Sequence, residues 1–261
     1  MTNLTKIRVH VGGDLLVKFS ESKEQAKLKG IQKWLGYRPN VYSFSQPSAH
    51  ACPFALDCLS KADRITGKVT DGKHTLYRCF SATTEAYSKH ARDQRWHNFD
   101  TMRKLDYESM VQVLNDSLPS KCDICRVHVG GDFFNQRYFE AWLEVARLNP
   151  ATKFYAYTKS LPYWVANLGK IPSNFVLTAS RGGRYDSLID EYNLKVAEVV
   201  FSIEEAEAKG LPIDHDEYYA INNAGNFALL IHGTQPKGSK ASEALRSLKS
   251  QGVEFAYSRS K

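Results

Sequence analysis

From Arg126 onward, short apolar runs alternate with segments of helical spacing five times over, and this alternation restricts the chain more than any other feature. Arg126 to Val129 predicts a buried strand, and Gly130-Gly131-Asp132 a turn. A helix then runs from about Gln136 to Leu148, with Tyr138, Phe139, Trp142, Val145 and Ala146 recurring at helical intervals. Asn149-Pro150 stops that helix. Further strands are expected at 153–157, 175–179, 196–201 and 227–232. Pro162 opens a short helix, Ser202 caps another ahead of Glu204 and Glu205, and a last helix spans about 241–249. Strand and helix in regular alternation imply an α/β fold: a curved, mainly parallel sheet or a partial (β/α) barrel. Residues 1–125 then form an N-terminal extension and cysteine-bearing segment packed on the repeated βα core of 126–261, together one composite domain.

In parallel α/β architectures ligands sit where the carboxyl ends of the strands converge. Asp132, Lys159, Arg181 and His232 each follow an apolar strand, so they are the candidate catalytic set. Lys159 and Arg181 suit an anionic group, and His232 suits proton transfer near neutral pH. Tyr155 and Tyr157 share one strand face, which makes them either packing or the border of a redox site. His128, flanked by Val127 and Val129, reads as a satisfied core or sheet-face histidine. Asp214-His215-Asp216 reads as a surface turn, because adjacent side chains diverge.

The five cysteines all precede the βα core. Cys52, Cys58 and Cys79 flank a stretch in which Asp71-Gly72 suggests a hairpin turn that folds the third thiol back beside the first two. Cys122 and Cys125 form a C-x-x-C pair just before the 126–129 strand. The first spacing is C-x5-C with a third thiol standing apart, which is not a zinc-finger or zinc-ribbon pattern. Structural zinc, an iron–sulfur cluster and buried free thiols all remain open on spacing alone.

Composition narrows the rest. With 43% hydrophobic and 24% charged residues in 261, the chain can bury a large core. It has no run of about eighteen apolar residues and no apolar leader, so a cytoplasmic protein without a membrane partner is expected. Thirty-five basic against 28 acidic residues leave +7, compatible with nucleic acid or a small anionic ligand. His90, Arg92, Arg95, Trp96 and His97 fit phosphate and base contacts, or more simply a solvated helix face with one aromatic anchor. The heptapeptide Arg-Val-His-Val-Gly-Gly-Asp occurs at 8–14 and again at 126–132 without flanking similarity. It reads as two similarly built strand ends, since true repeats extend over about twenty residues or more.

Two resemblances carry the reading further. A cysteine cluster, then a helix, then an apolar strand ending in Gly-Gly-Asp, then further βα units, resembles the radical S-adenosylmethionine fold. The chain departs from that pattern in lacking CxxxCxxC and in having Asp for Glu. This resemblance implies a [4Fe-4S] cluster on three cysteines, and it implies S-adenosylmethionine with Gly130, Gly131 and Asp132 holding its amino group.

The segments Ser45-Gln46-Pro47, Cys52 to Cys58, Arg95 to Asp100, Val127 to Phe134, Phe154 to Ser160, Phe175 to Ser180 and His232-Gly233-Thr234-Gln235-Pro236 resemble the phage gene-product-88 domain family over roughly 40–257. That resemblance implies a phage or prophage-like origin. It selects Cys52, Cys58 and Cys79, rather than Cys122 and Cys125, as metal ligands. The resulting expectation is an iron–sulfur protein, with redox or radical-type chemistry on a small molecule as an extension of cluster binding. The rival is a zinc-stabilised nucleic-acid-binding module without catalysis.

Overall fold

The computed structural model describes residues 16–22 and 26–253; the heptapeptide copy at 8–14 lies outside them. The chain enters through β1 (Phe19–Glu21), α1 (Ala26–Leu35) and β2 (Val41–Phe44), then forms a small hairpin of β3 (Ser60–Ala62) and β4 (Val69–Asp71). Three helices follow: α2 (Phe80–Tyr87), α3 (Lys89–Met102) and α4 (Tyr107–Ser117). The βα series is β5 (Ile124–Val127), α5 (Gln136–Leu148), β6 (Lys153–Thr158), α6 (Leu161–Val165), β7 (Phe175–Ser180), α7 (Ser187–Glu191), β8 (Val196–Val200), α8 (Ile203–Ala208), α9 (Tyr218–Asn222), β9 (Phe227–Leu230) and α10 (Lys240–Ser250).

Seven strands make one mixed sheet in the order β1-β2-β5-β6-β7-β8-β9. All neighbours run parallel except β1, which lies antiparallel to β2. The sheet is open, with β1 and β9 as its edges. β2, from the N-terminal part of the chain, pairs in register with β5, Val41 opposite Ile124 and Phe44 opposite Val127. Strands sit side by side in chain order because each helical crossover returns the chain to the next position of a twisted sheet.

Alternation along the strands sorts side chains onto two faces. Phe44, Cys125, Val127, Phe154, Ala156 and Leu177 pack with Trp142, Tyr138 and Phe139 of α5 and with Met110, Val113 and Leu114 of α4. The opposite face carries Val41, Ile124, Tyr155, Ala197 and Phe227, covered in part by Leu28 and Ile31 of α1 and Ala220 and Ile221 of α9. Capping fixes the helix starts. Asn135 accepts from Tyr138 N–H at α5, and Ser202 accepts from Glu205 N–H at α8, each contributing about 1 kcal/mol.

The hairpin turn differs from expectation. The chain reverses at 63–68, where Asp63 N–H donates to Lys68 O and Gly67 N–H to Asp63 O, whereas Asp71 closes β4. Asp63 wins because its carboxylate also accepts from the Ile65 and Thr66 amides, an Asx-type turn that Asp71 does not make. Asp71 instead receives the Arg78 guanidinium.

Candidate functional site

A cavity of about 150 Å³ opens at the carboxyl ends of the strands, on the sheet face opposite α5. Cys52, Cys58 and Cys79 stand on its wall, together with Gly130, Gly131, Asp132, Lys159 and His232; Arg126, Tyr157, Val199 and Leu229 come from the strands themselves. Residues as far apart in the chain as Cys52 and His232 thus face one chamber.

Three strand-end loops hold the cysteine segments there. After β5, Gly130 O accepts from Gln46 N–H at 2.8 Å, and Asp132 N–H donates to Ala51 O at 3.2 Å, next to Cys52. After β7, Gly182 O accepts from the amides of Leu56 and Asp57, and Arg184 N–H donates to Phe54 O. After β9, Gln235 grips the backbone of Arg78, next to Cys79.

Burial is the largest influence on the Cys52 and Cys58 thiols. It pushes Cys52 up, with the charges of Asp132, Cys79 and Cys58 adding to the effect. Cys58 is pushed up to about 11 by burial, against the pull of Lys159. Cys52 and Cys58 therefore resist ionisation until a cation arrives to compensate them.

The Gly-Gly-Asp loop serves packing. A Cβ on Gly130 would overlap Ser81 Oγ and lie 3.1 Å from the Arg95 guanidinium carbon. Gly131 has φ +84°, and a Cβ there would meet Gln46 Cβ at 2.8 Å. Asp132 is buried, and its carboxylate accepts from Phe133 N–H, Thr158 Oγ1 and Lys159 N–H. Burial raises its pKa while those bonds and Lys159 oppose the rise. Its oxygens are thus engaged by its own loop and by the end of β6.

Lys159 also has internal work. Its ammonium donates to Ser180 O, Ser180 Oγ and Arg181 O at 2.7–2.8 Å, so it ties loops together where an anion-binding role was expected. His232 borders the cavity with its ring 4.9 Å from that of Phe80. Arg181 does not join the set. It pairs with Glu198 at 2.7 Å and Asp190 at 3.3 Å, lining a separate groove, because opposite charges on β8 and α7 lie within its reach.

Cys122 and Cys125 are buried on the opposite face with the α5 core, near the amino end of β5. His128 is buried and hydrogen-bonded with Tyr138 across 2.9 Å, among Phe44, Phe133 and Trp142. Tyr157 faces the cysteine chamber and donates to Glu217 at 3.2 Å. Tyr155 faces a neighbouring hollow of about 340 Å³. Asp214 is buried and accepts from Asp216 N–H, while His215 is exposed.

The helix-face reading of α3 needs correction. Arg92 and Arg95 are buried: Arg92 donates to the carbonyls of Arg64, Ile65 and Glu85, and Arg95 to Ser81 and Glu85. Glu85 is fully buried at 2.7 Å from Arg95 and also receives Ser48. No sequence pattern signals this pair, because charged residues read as solvated until a partner is known.

A family model described as Gene product 88 matches residues 15–250. The chain belongs to that family. Among similar proteins, the Gene 88 protein of Mycobacterium phage L5 is 31% identical over 90 residues, which is 31% of this chain and 38% of that protein. The chain thus aligns with well under half of the phage relative's length. No solved structure matches. The gene product 88 match spans the sheet and the cavity wall from Cys52 to His232. Among the described residues no helix is long and apolar enough to cross a membrane, and no group of three or more His, Cys, Asp or Glu side chains is placed to hold a metal ion.

Proposed function

We propose that this chain binds an iron–sulfur cluster, with [4Fe-4S] as the working stoichiometry, through Cys52, Cys58 and Cys79. The observation that carries the reading is that these three thiols border one chamber while Cys122 and Cys125 lie on the far face of the sheet. Three cysteine thiols on one wall are the soft sulfur ligands that an iron–sulfur cluster takes. The chamber's chemistry agrees: burial disfavours bare thiolates at Cys52 and Cys58, and iron supplies the compensating charge.

When bound, the cluster supplies one-electron transfer. The protein's part is to hold three thiolates at the strand ends and to keep water from them with Val199, Leu229, Ile231 and Tyr157. The amine of S-adenosylmethionine would share Asp132 with three internal hydrogen bonds. Small-molecule redox chemistry would be confined to the chamber and the adjoining hollow, which share Phe80, Arg126 and Val129 as walls.

The test is anaerobic purification or reconstitution with iron and sulfide, followed by metal and sulfide analysis. A brown protein absorbing near about 400 nm, with iron lost on replacing Cys52, Cys58 or Cys79 by Ala, is the expected result. A colourless protein containing zinc, or full iron content in two of the three variants, overturns the proposal.

A further inference from the structure

Gln235 holds the third thiol in place from the opposite end of the chain. Its side-chain oxygen accepts from Arg78 N–H at 2.7 Å, and its side-chain nitrogen donates to Arg78 O at 3.1 Å and to His232 O at 2.9 Å. One amide thus pairs with both backbone groups of the residue before Cys79, as a neighbouring strand would. It is buried, so those bonds meet little competition from water.

The same turn grips the other side of Cys79. The His232 ring lies against Phe80, and Gly233, at φ +77°, brings its backbone so close that a Cβ would meet Phe80 Cβ at 3.1 Å. Cys79 itself is the N-cap of α2, and its amide donates to the buried Ser60 hydroxyl at 3.2 Å. Arg78 points its guanidinium away, onto Asp71 of the hairpin. Cys79 therefore sits between two gripped neighbours, while Cys52 and Cys58 are held by different loops.

We infer that Gln235 is a positioning residue for Cys79, and that the His232–Gln235 turn places the third thiol of the chamber only once β9 has joined the sheet. This rests on the cluster reading for its purpose, though not for its geometry. The fall in local order expected when the amide is removed is specific to one of three thiols, which a general loss of stability would not produce.

The experiment uses the full chain without metal and dibromobimane, a fluorogenic reagent that bridges two nearby thiols, with the bridged peptides mapped by mass. In Gln235→Leu, bridges that include Cys79 should fall about fivefold, the equivalent of one hydrogen bond's net contribution, while the Cys52–Cys58 bridge stays at its parental yield. Parental yields of Cys79 bridges in the variant, or no Cys79 bridge in the parent, overturn the inference.

Gln235→Glu keeps the oxygen facing Arg78 N–H and loses both donors, and serves if leucine prevents folding. A loss of at least about fivefold in Cys79 bridging there supports the clamp, and a parental yield overturns it. Iron uptake is measured in parallel. A parent that takes up no iron defeats the cluster reading, while the bridging yields still judge the clamp.

Discussion

Lys159 Nζ donates to the carbonyl oxygen of Ser180 at 2.7 Å, joining the residue after β6 to the last residue of β7. Ser180 Oγ and Arg181 O complete the ammonium's partners, and the next residue, Gly182, carries Leu56 and Asp57. Lys159→Met should leave three acceptors short of a donor at a buried site. The expected cost is about 1–3 kcal/mol, or about 2–10 °C in melting temperature for a chain of this size. Calorimetry checks it. An unchanged melting temperature would show that the three bonds are not made in solution.

Gly130→Ala places a methyl group against Ser81 Oγ and the Arg95 guanidinium. Both neighbours are buried and bonded to each other, so neither can give way cheaply. We expect about 1–3 kcal/mol of destabilisation from overpacking, measured by urea unfolding. An alanine tolerated at wild-type stability sinks the packing role assigned to this glycine.

Cys122 and Cys125 should be dispensable for metal but not for stability. Both are buried in the α5 core, where Cys125 is fully enclosed with its ionisation strongly disfavoured by burial and by its contact with Cys122. Replacing both by Ala should retain iron and sulfide after reconstitution while lowering stability by about 1–2 kcal/mol through lost packing. Loss of iron in this double variant would place a ligand on the wrong side of the sheet.

His128 gives the fold an acid-sensitive point. Burial, followed by the nearby Arg126 charge, holds its pKa down at about 3, against 6.5 for an ordinary histidine. Above pH 6.5 the ring is neutral folded or unfolded, and stability does not depend on it. As pH falls from 6.5 toward 3 the unfolded chain binds a proton that the folded chain refuses, so stability drops by up to about 1.4 kcal/mol per pH unit. Urea midpoints across that range, compared between the parent and His128→Gln, isolate this contribution. Parallel pH profiles would remove His128 as the source.

Most of the C-terminal βα series was readable because its strands are buried on both faces and its longer helices carry their own stripe and stop signals. Lys153–Thr158 and Gln136–Leu148 show this directly. The Ser202 cap was equally local. By contrast, α7 and α9, five residues each, are too short to show a helical period. β1 and β2 were not readable. Phe-Ser-Glu and Val-Tyr-Ser-Phe are too short to display a period, and β2 exists as a strand through its partners β1 and β5.

Side-chain roles divide along the same line. Periodicity and turn residues, which act over a few positions, determined that Asp132, Lys159 and His232 would come to the strand ends and that a glycine turn would follow β5. Whether an ionisable group there faces a ligand or its own neighbours depends on charges and carbonyls far away in the chain. Glu198 and Asp190 draw Arg181 out of the cavity, Ser180 and Arg181 engage Lys159, and Glu85 buries Arg95. Only tertiary structure decided these, because the strength of a hydrogen bond or ion pair is set by distance and burial, and neither is encoded in sequence spacing.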